Sequence, residues 1–442
     1  METVPLFGEL AGAKKEPATP APTSPSVARV VEPVRTQVEM VCRDLDSFVA
    51  EEHPARAIWA LLERLDLSGF YAQIGAVVGG PGRPPADPQV LLALWVYATV
   101  DGIGSARRLA RLCDEHDVYR WLRGGVPINY HQLADFRTAH EQALNELLTE
   151  ILTILMAEGL VALERVAQDG MRVRASAGAA SFRREGTLER LRQEAHAQVE
   201  RLAAEVEHPD PQSGHRQRAA RQRAAHERAA RVERALEQLP AVRALKKTAE
   251  EQAAARVSTT DPEARVMKMA DGGFRPAFNV QLATAPASQV IVGVAVTNVG
   301  SDAQQAAPMV EQVEQRCDQR PTEYLVDGGF ANKDTVEALA AQQVTLFAPV
   351  QTPKDPTRDP HQPLPGDSPA VAAWRQRMGT AAAKSIYKER AATAECVNGK
   401  WRTVHGLQQF PVRGTAKVTC VVLLLAIAHN LLRWLALAPT AG

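Results

Sequence analysis

The chain has 442 residues, of which 45% are hydrophobic, so it is long enough for two or three domains with packed cores. Its 51 basic and 51 acidic residues cancel, which excludes a protein that attracts nucleic acid or membranes through its global charge alone. The five cysteines lie far apart, with no Cys-x-x-Cys pair and no histidine at zinc spacing, and this predicts a reduced cytoplasmic protein without structural zinc. No basic segment followed by an apolar core opens the chain, so we expect no signal peptide.

The N-terminal part is predicted to be a disordered tail followed by a helical domain. Residues 1–40 are rich in Ala and Pro, a composition typical of segments without fixed structure. Residues 41–140 carry apolar residues at helical spacing, with Asp87 and Ser105 as helix caps. Short helices with basic faces favour a DNA reader related to the helix-turn-helix, and a plain helical scaffold with a solvated basic face explains the pattern equally well. The candidate DNA contacts are Arg107, Arg108, His131 and Arg137.

Two acids are placed inside or at the tip of a predicted strand. Asp169 lies in the middle of the run 165–175, where an aspartate calls for a reason because Asp is depleted in strands. Asp327 follows the buried strand 324–326 and precedes two glycines, and the next helix opens at Asn332 or Lys333. Folds of the α/β class place their chemistry at the carboxyl ends of sheet strands. Each acid taken alone is more simply a turn or capping residue, and only a matching set favours a site.

Residues 182–256 differ in composition from the rest of the chain. They are almost all Ala, Arg, Glu, Gln and Leu, and Pro209-Asp210-Pro211 divides them into two halves that each favour a helix. We predict an antiparallel helical hairpin. Most helices of this composition are solvated arms, but the arginine excess in the second half could also follow a phosphate backbone.

The remaining third of the chain alternates predicted strands and helices. The apolar run 418–432 is short for a bilayer span and is predicted to be a buried core helix. The long helix near the end carries Glu395, and Asn398-Gly399 predicts a bend within it. The predicted elements are strands at 274–284 and 289–299, a helix at 306–317, a strand at 344–350 and a helix from 381 to about 402.

The residues taken together resemble the DDE transposases of insertion sequences, over roughly residues 51–437. The likeness lies in blocks that follow one another in a fixed order. They include Gly82-Arg83-Pro84-Pro85, Asp135-Phe136-Arg137, Asp169-Gly170-Met171-Arg172, Thr260-Asp261-Pro262-Glu263, Asp327-Gly328-Gly329-Phe330, Tyr387-Lys388-Glu389-Arg390, His405-Gly406-Leu407 and Ala428-His429-Asn430-Leu431.

The resemblance implies an α/β fold: a ribonuclease H-like mixed sheet, interrupted by a helical-hairpin insertion and preceded by an all-α N-terminal domain. The catalytic domain would comprise 141–181 and 257–437, the insertion 182–256, and a domain binding the element ends 41–140. The implied catalytic acids are Asp169, Asp327 and Glu395. They would hold two Mg²⁺ or Mn²⁺ ions, which suit carboxylate oxygens and in-line phosphoryl transfer.

The resemblance also implies DNA contacts, partners and location. Tyr387, Arg390 and Arg402 would contact DNA phosphates beside the acids. The implied partners are double-stranded DNA, at the terminal inverted repeats and at the target, and a second copy of the chain in the active complex. No membrane is implied, and the protein would act on the nucleoid in a bacterial cytoplasm.

Three alternatives stay open. Glu389 competes with Glu395 for the third acid because the spacing from Arg390 departs by one residue from the family signature. We prefer Glu395, because it lies seven residues before Arg402 and so shares its helix face. Asp261 and Asp271 are interpreted as structural. A metal-dependent nuclease without joining activity, or a non-catalytic DNA-binding protein, would fit the same scaffold.

Overall fold

A computed structural model of the chain describes residues 42–76, 84–207, 215–353 and 357–438, together with the single residues 36, 38, 40 and 355. The predicted tail 1–40 therefore lies outside the described residues, apart from three positions. Residues from Asp44 onward form one compact unit.

Helices fill the described chain before the first strand. Asp87 and Ser105 cap two of them as predicted, accepting hydrogen bonds from the backbone N–H groups of Gln89 and Arg108. The bounds are α1 (Pro54–Leu62), α2 (Ser68–Tyr71), α3 (Pro88–Val100), α4 (Ala106–Glu115), α5 (Asp117–Arg123), α6 (Tyr130–Ala139) and α7 (Glu141–Ala157).

The rest of the described chain is mixed α/β. The predicted hairpin is present as two long helices, and its linker lies outside the described residues. The elements are β1 (Arg165–Arg174), β2 (Phe182–Arg183), α8 (Glu185–Glu207), α9 (His215–Ala244), α10 (Ala249–Ala253), β3 (Val257–Ser258), β4 (Arg265–Lys268), β5 (Phe274–Ala285), β6 (Val290–Thr297), α11 (Ala306–Cys317), β7 (Glu323–Leu325), α12 (Lys333–Ala341), β8 (Thr345–Phe347), α13 (Pro369–Gly379), α14 (Ala381–Arg390), α15 (Cys396–Thr403) and α16 (Thr415–Leu437).

A mixed sheet of six strands organises this part of the molecule. The central strand β1 pairs antiparallel with β5 on one side and parallel with β7 on the other. Beyond β5 lie β6 and, at the start of β5, β4, both antiparallel to it. Beyond β7 lies β8, again parallel. The strands β2 and β3 form a separate ladder at the base of the hairpin.

The long helix α16 lies between the sheet and the helices α1 to α7, which are called the helical layer below. It packs against α3, α6 and α7 and against β6. The amide of the fully buried Asn430 bonds to both backbone groups of Ile291, accepting from its N–H at 2.9 Å and donating to its carbonyl at 2.8 Å. Among the described helices, α16 alone is long and apolar enough to cross a membrane, but 72% of that window is buried inside the protein. This burial supports the predicted core helix.

One hydrophobic core runs through the helical layer, α16 and the sheet. Residues as distant in sequence as Ile58, Leu148, Val166 and Ile427 belong to it. The hairpin has a small core of its own, made by Leu188, Ala235, Leu239, Val242, Ala255 and Val257. A boundary near residue 140 is therefore not a break in packing, and the predicted domain limits stay predictions.

The two acids interpreted as structural have structural partners. Asp261 is completely buried and accepts from the N–H of Gly414 at 3.2 Å. Glu263 accepts from Thr415 at 2.8 Å, so both carboxylates lie at the N-terminus of α16, where negative charge is stabilising. Asp271 is exposed and pairs with Arg275 at 2.8 Å.

The structure differs from the predicted elements in several places, and β2, β3 and α13 were not predicted. The long helix near the end is interrupted by a π-helical turn at 391–395, and residues 398 and 399, where the bend was predicted, lie inside the regular helix α15. Such a turn inserts an extra residue and depends on the surfaces packed around it, which propensity does not report. The strand predicted at 344–350 is confined to β8, and β4 was not predicted.

The buried His429 makes stability depend on pH. Its Nε2 donates to the carbonyl of Gln289 at 2.8 Å, and burial lowers its pKa from 6.5 to about 4. On acidification the unfolded chain takes up a proton at this histidine at a higher pH than the folded protein does. The contribution of neutral His429 to the free energy of unfolding is therefore complete above about pH 6.5 and is lost as the pH falls toward 4. We expect a loss of about 3 kcal/mol by pH 4 from this group. Urea unfolding at pH 7 and at pH 4 would measure it. His429→Gln should show a smaller difference, and an equal difference in both proteins would contradict the assignment.

Candidate active site

Two aspartates lie side by side on adjacent parallel strands, Asp169 in the middle of β1 and Asp327 just past the carboxyl end of β7. In the register of β1 with β7, Ala167 is paired with Leu325. Asp169 and Asp327 each lie two residues further along. Because side chains alternate between the faces of a sheet, equal offsets put both carboxylates on the same face and at the same level.

One guanidinium bridges the two carboxylates. Arg390, the last residue of α14, lies with Nη2 3.0 Å from Asp169 Oδ1 and 3.8 Å from Asp327 Oδ2. Its side chain is only 13% exposed. The resemblance implied a phosphate contact for Arg390, whereas the structure directs it at the acids.

Hydrogen bonds fix the orientation of each carboxylate. Asp169 Oδ2 accepts from Asn398 Nδ2 at 2.7 Å, and Oδ1 accepts from the N–H of Gly170 at 3.0 Å. Asp327 Oδ1 accepts from the N–H of Gly329 at 2.8 Å, within the predicted glycine turn. Helix α15 thus reaches the site through Asn398, a residue that the sequence had suggested only as a helix irregularity.

Burial raises the pKa of Asp169. The positive charge of Arg390 opposes this rise, and the negative charge of Asp327 adds to it. Burial likewise raises the pKa of the half-buried Tyr387 phenol, while the adjacent Arg390 lowers it. An acid that burial disfavours in its charged form, beside a second acid, is the arrangement expected where a cation is bound.

A buried polar layer supports β1 from its opposite face. Asp302 is 8% exposed and accepts from Asn279 and Gln281, each at 2.7 Å, and from Arg172 at 3.0 Å. A Cβ on Gly170 would collide with the Asp302 carboxylate and lie 2.6 Å from Gln281 Nε2. Glycine is therefore required beside Asp169. Sequence analysis missed Asp302, because nothing in its local pattern shows that it folds under β1.

The third predicted acid is placed only through its backbone. Glu395 belongs to the π-helical turn, which lies against β1 and β5, and its side chain is outside the described part of the structure. The rival Glu389 pairs with Arg165 at 2.6 Å, and Arg165 also pairs with Glu323. Glu389 is thus held away from Asp169.

Arg402 lies in a separate basic cleft of about 300 Å³. The cleft is lined by Arg172, Arg174, Arg275 and Arg402, with Asp271 as its acidic member. Arg172 and Arg174 belong to β1, the strand that carries Asp169. The cleft therefore follows the same strand away from the acids.

Of the basic candidates in the helical layer, three are exposed and one is buried. Arg107, Arg108 and His131 are exposed, and Arg107 lies 5.0 Å from the ring centre of Tyr130. Arg137 is 7% exposed, donates to the carbonyl of Gly104 and lies 4.5 Å from the Trp95 ring centre. Burial lowers its pKa to about 10. This guanidinium packs inward, and the DNA contact expected of Arg137 stays a prediction. No hydrogen bond or ion pair joins the other three to the acids in the described chain.

The pair of carboxylates suits a hard cation. Among the described side chains, no group of three His, Cys, Asp or Glu residues lies close enough together to hold a metal ion. Asp169 and Asp327 nevertheless share one cationic group, the Arg390 guanidinium, and carboxylate oxygens are the ligands that Mg²⁺ prefers. These two carboxylates fit a divalent ion, and Glu395 as a third donor stays a prediction.

Two family models match the chain. The model described as Transposase domain (DUF772) matches residues 43–139, which cover α1 to α6. The model described as Transposase DDE domain matches residues 365–435, which include Arg390, Glu395, Asn398 and Arg402. Comparison with curated proteins and with solved structures gives no match.

Proposed function

The chain belongs to the DDE transposases of insertion sequences, and from that premise we propose that it binds the ends of its element, cleaves DNA there and joins the cut end to target DNA. The observation that carries this proposal is the placement of Asp169 and Asp327, two residues beyond a paired position on adjacent parallel strands and bridged by Arg390. We propose the cytoplasm as its location and a homodimer as the active assembly.

The sheet supports a ribonuclease H-like catalytic domain as part of this proposal. The central strand β1 has an antiparallel hairpin, β5 and β6, on one side and two parallel strands, β7 and β8, on the other. The helical insertion follows β1 directly. We assign 141–181 and 257–437 to catalysis and 41–140 to the recognition of element ends, with Arg107, Arg108 and His131 as surface candidates.

The proposed chemistry assigns a task to each group at the site. DDE transposases generally use divalent metals, and two such ions held by Asp169, Asp327 and Glu395 would supply positive charge to the oxygens that attack and leave during phosphoryl transfer. Asn398 and the Gly170 N–H hold the Asp169 carboxylate in one orientation. Arg390 balances the charge of both acids, and Tyr387 beside it would bind a DNA phosphate. Arg402 would bind a phosphate further along β1, in its separate cleft.

Cleavage of a plasmid that carries the DNA flanking the gene tests the proposal. The wild-type protein should nick or linearise it with Mg²⁺ or Mn²⁺ and not with a chelator. Asp327→Asn should reduce the rate by more than about 100-fold, the upper range seen when only an outer partner of a metal is removed. The matched control is Asp271→Asn, in the second Asp-Gly-Gly-Phe of the chain, which should cleave like wild type. Equal cleavage by Asp327→Asn and wild type would contradict the assignment.

The same acids would also serve a nuclease that cuts without joining, because water can replace the DNA hydroxyl as attacking group. Joined products formed from a labelled pre-cut end distinguish the two functions. A non-catalytic DNA-binding protein on this scaffold predicts chelator-insensitive end binding with no cleavage at all.

A further inference from the structure

A second basic cavity lies where the helical hairpin meets the sheet domain. It has a volume of about 370 Å³ and is lined by Arg183, Arg228, Arg231, Arg413, Thr259 and Thr260, together with two aliphatic residues. No acidic side chain of the described chain lines it. Four guanidiniums and two hydroxyls are all able to donate hydrogen bonds, so the cavity is built for an anion rich in acceptor oxygens.

The charges of these arginines are only weakly compensated. Arg228 donates to Gln198 Oε1 at 3.1 Å and lies 3.7 Å from Glu194. Arg231 lies 3.7 Å from Glu227, whose side chain is 72% exposed. Ion pairs of this length at an exposed surface contribute little. In the described structure the Arg183 side chain has no hydrogen-bond or ion-pair partner, and the Arg413 side chain donates only to the carbonyl of Ser176.

The backbone that carries the arginines is well fixed. Phe182 and Arg183 pair with Ser258 and Val257, and the hydroxyls of Ser181 and Ser258 bond at 2.7 Å. Helix α9, which provides Arg228 and Arg231, packs on β3. Arg413 precedes Gly414, whose N–H is bound by Asp261. These contacts hold the backbone so that four like-charged guanidiniums surround one cavity. An anion can therefore pair with them without first ordering the chain.

This cavity lies further along the chain segments that also line the Arg402 cleft. The segment after Arg402 runs along the end of β1, where Phe410 donates to the carbonyl of Arg174 at 2.8 Å and the Gln409 amide donates to that of Ala175 at 3.0 Å. It then reaches Arg413. Two segments therefore line first the Arg402 cleft and then the hairpin cavity. One runs from β1 to Arg183, and the other runs from Arg402 to Arg413.

We propose that the hairpin cavity binds a backbone phosphate of the DNA on which the site acts, and that the hairpin serves as an arm holding the duplex beside the acids. This inference rests on the proposed function. The lining has guanidiniums and hydroxyls but no aromatic side chain on which a base could stack, so the contact fixes position without reading sequence.

Equilibrium binding of a labelled duplex by protein carrying Asp327→Asn, measured in a chelator at several salt concentrations, tests the proposal. Arg183→Gln with Arg231→Gln should weaken binding by about tenfold or more and lower the slope of log affinity against log salt by about 1, since each phosphate contact contributes about 0.9. Arg183→Lys with Arg231→Lys should keep the slope, because the charges remain.

The matched control is Arg221→Gln with Arg223→Gln, two exposed arginines of the same helix that do not line the cavity. It should change the slope by less than half as much. An unchanged slope in the cavity variant, or equal losses in both pairs, would overturn the proposal.

Inorganic phosphate at matched ionic strength should displace DNA no better than chloride does. If inorganic phosphate bound the protein with the intact cavity and not the cavity variant, while the two proteins bound DNA equally, the cavity would be a binding site for a free anion instead. Because binding is measured without cleavage, failure of this inference is distinguishable from failure of the proposed function.

Discussion

Asp169→Asn is expected to abolish DNA cleavage while leaving the protein folded. The substitution removes the charge that faces Arg390 and gives the side chain an amide, which cannot accept from Asn398 and from Arg390 as two carboxylate oxygens do. We expect a rate loss of more than about 100-fold, for the reason given for Asp327. Burial raises the pKa of Asp169, so its charged form is disfavoured in the folded state. A neutral asparagine avoids this penalty of burial, and Asp327 still faces Arg390, so the variant should stay folded.

The pH dependence of the wild-type enzyme provides a second measurement of the same residue. A raised pKa means that in the metal-free protein the Asp169 carboxylate loses its charge at a higher pH than an ordinary aspartate does, so protons compete with the metal ion for this carboxylate. Cleavage should therefore decline on acidification while exposed aspartates are still ionised. Asp271→Asn is again the control for the loss of one carboxylate. An Asp169→Asn protein that cleaves at the wild-type rate, or one that no longer folds, would contradict this account.

Glu395→Gln should also remove cleavage, and Glu389→Gln should not. Glu389 is held by Arg165, so its loss breaks a partly exposed ion pair. The backbone of Glu395 lies in the π-helical turn against the strand that carries Asp169. We expect a loss of more than about 100-fold for Glu395→Gln and less than about threefold for Glu389→Gln.

The two glutamine variants are matched in chemistry and differ by six positions along one helical segment. Cleavage rates and metal-induced shifts of the melting temperature should be measured for both. Glu389→Gln should keep the wild-type shift with Mn²⁺, because a ligand that binds only the folded state stabilises it, and Glu395→Gln should lose part of it. The reverse ranking would make Glu389 the third acid.

Much of the strand framework could be predicted, because local pattern and turn chemistry agree with the fold. Asp327 is an example: a buried strand, two glycines and the cap Asn332 occur in that order in the sequence and in the structure. The side-chain directions could not be predicted. Arg137 packs inward on Trp95, and Arg390 is directed at two acids more than 60 residues away in sequence. Both directions depend on surfaces that distant segments create.

Asn398 and Asp302 are residues whose roles at the site could not be predicted from the sequence. Asn398 precedes a glycine and so looked like a helix breaker, although its amide holds Asp169. Asp302 gains its role only because β5 brings Asn279 and Gln281 to it. The hairpin arms were predictable from composition, but the cavity at their base was not, since it needs Arg413 from a segment far along the chain.

The position of α16 has a consequence for biosynthesis. Residues 415–437 fill the space between the helical layer and the sheet, and Asn430 saturates backbone groups of β6. While the ribosome is still making earlier parts, the nascent polypeptide must keep a wide apolar groove open, which attracts chaperones and other nascent chains. Only when residue 437 has emerged can this groove close, so the helices before β1 and the sheet reach their final packing only after every strand has been synthesised.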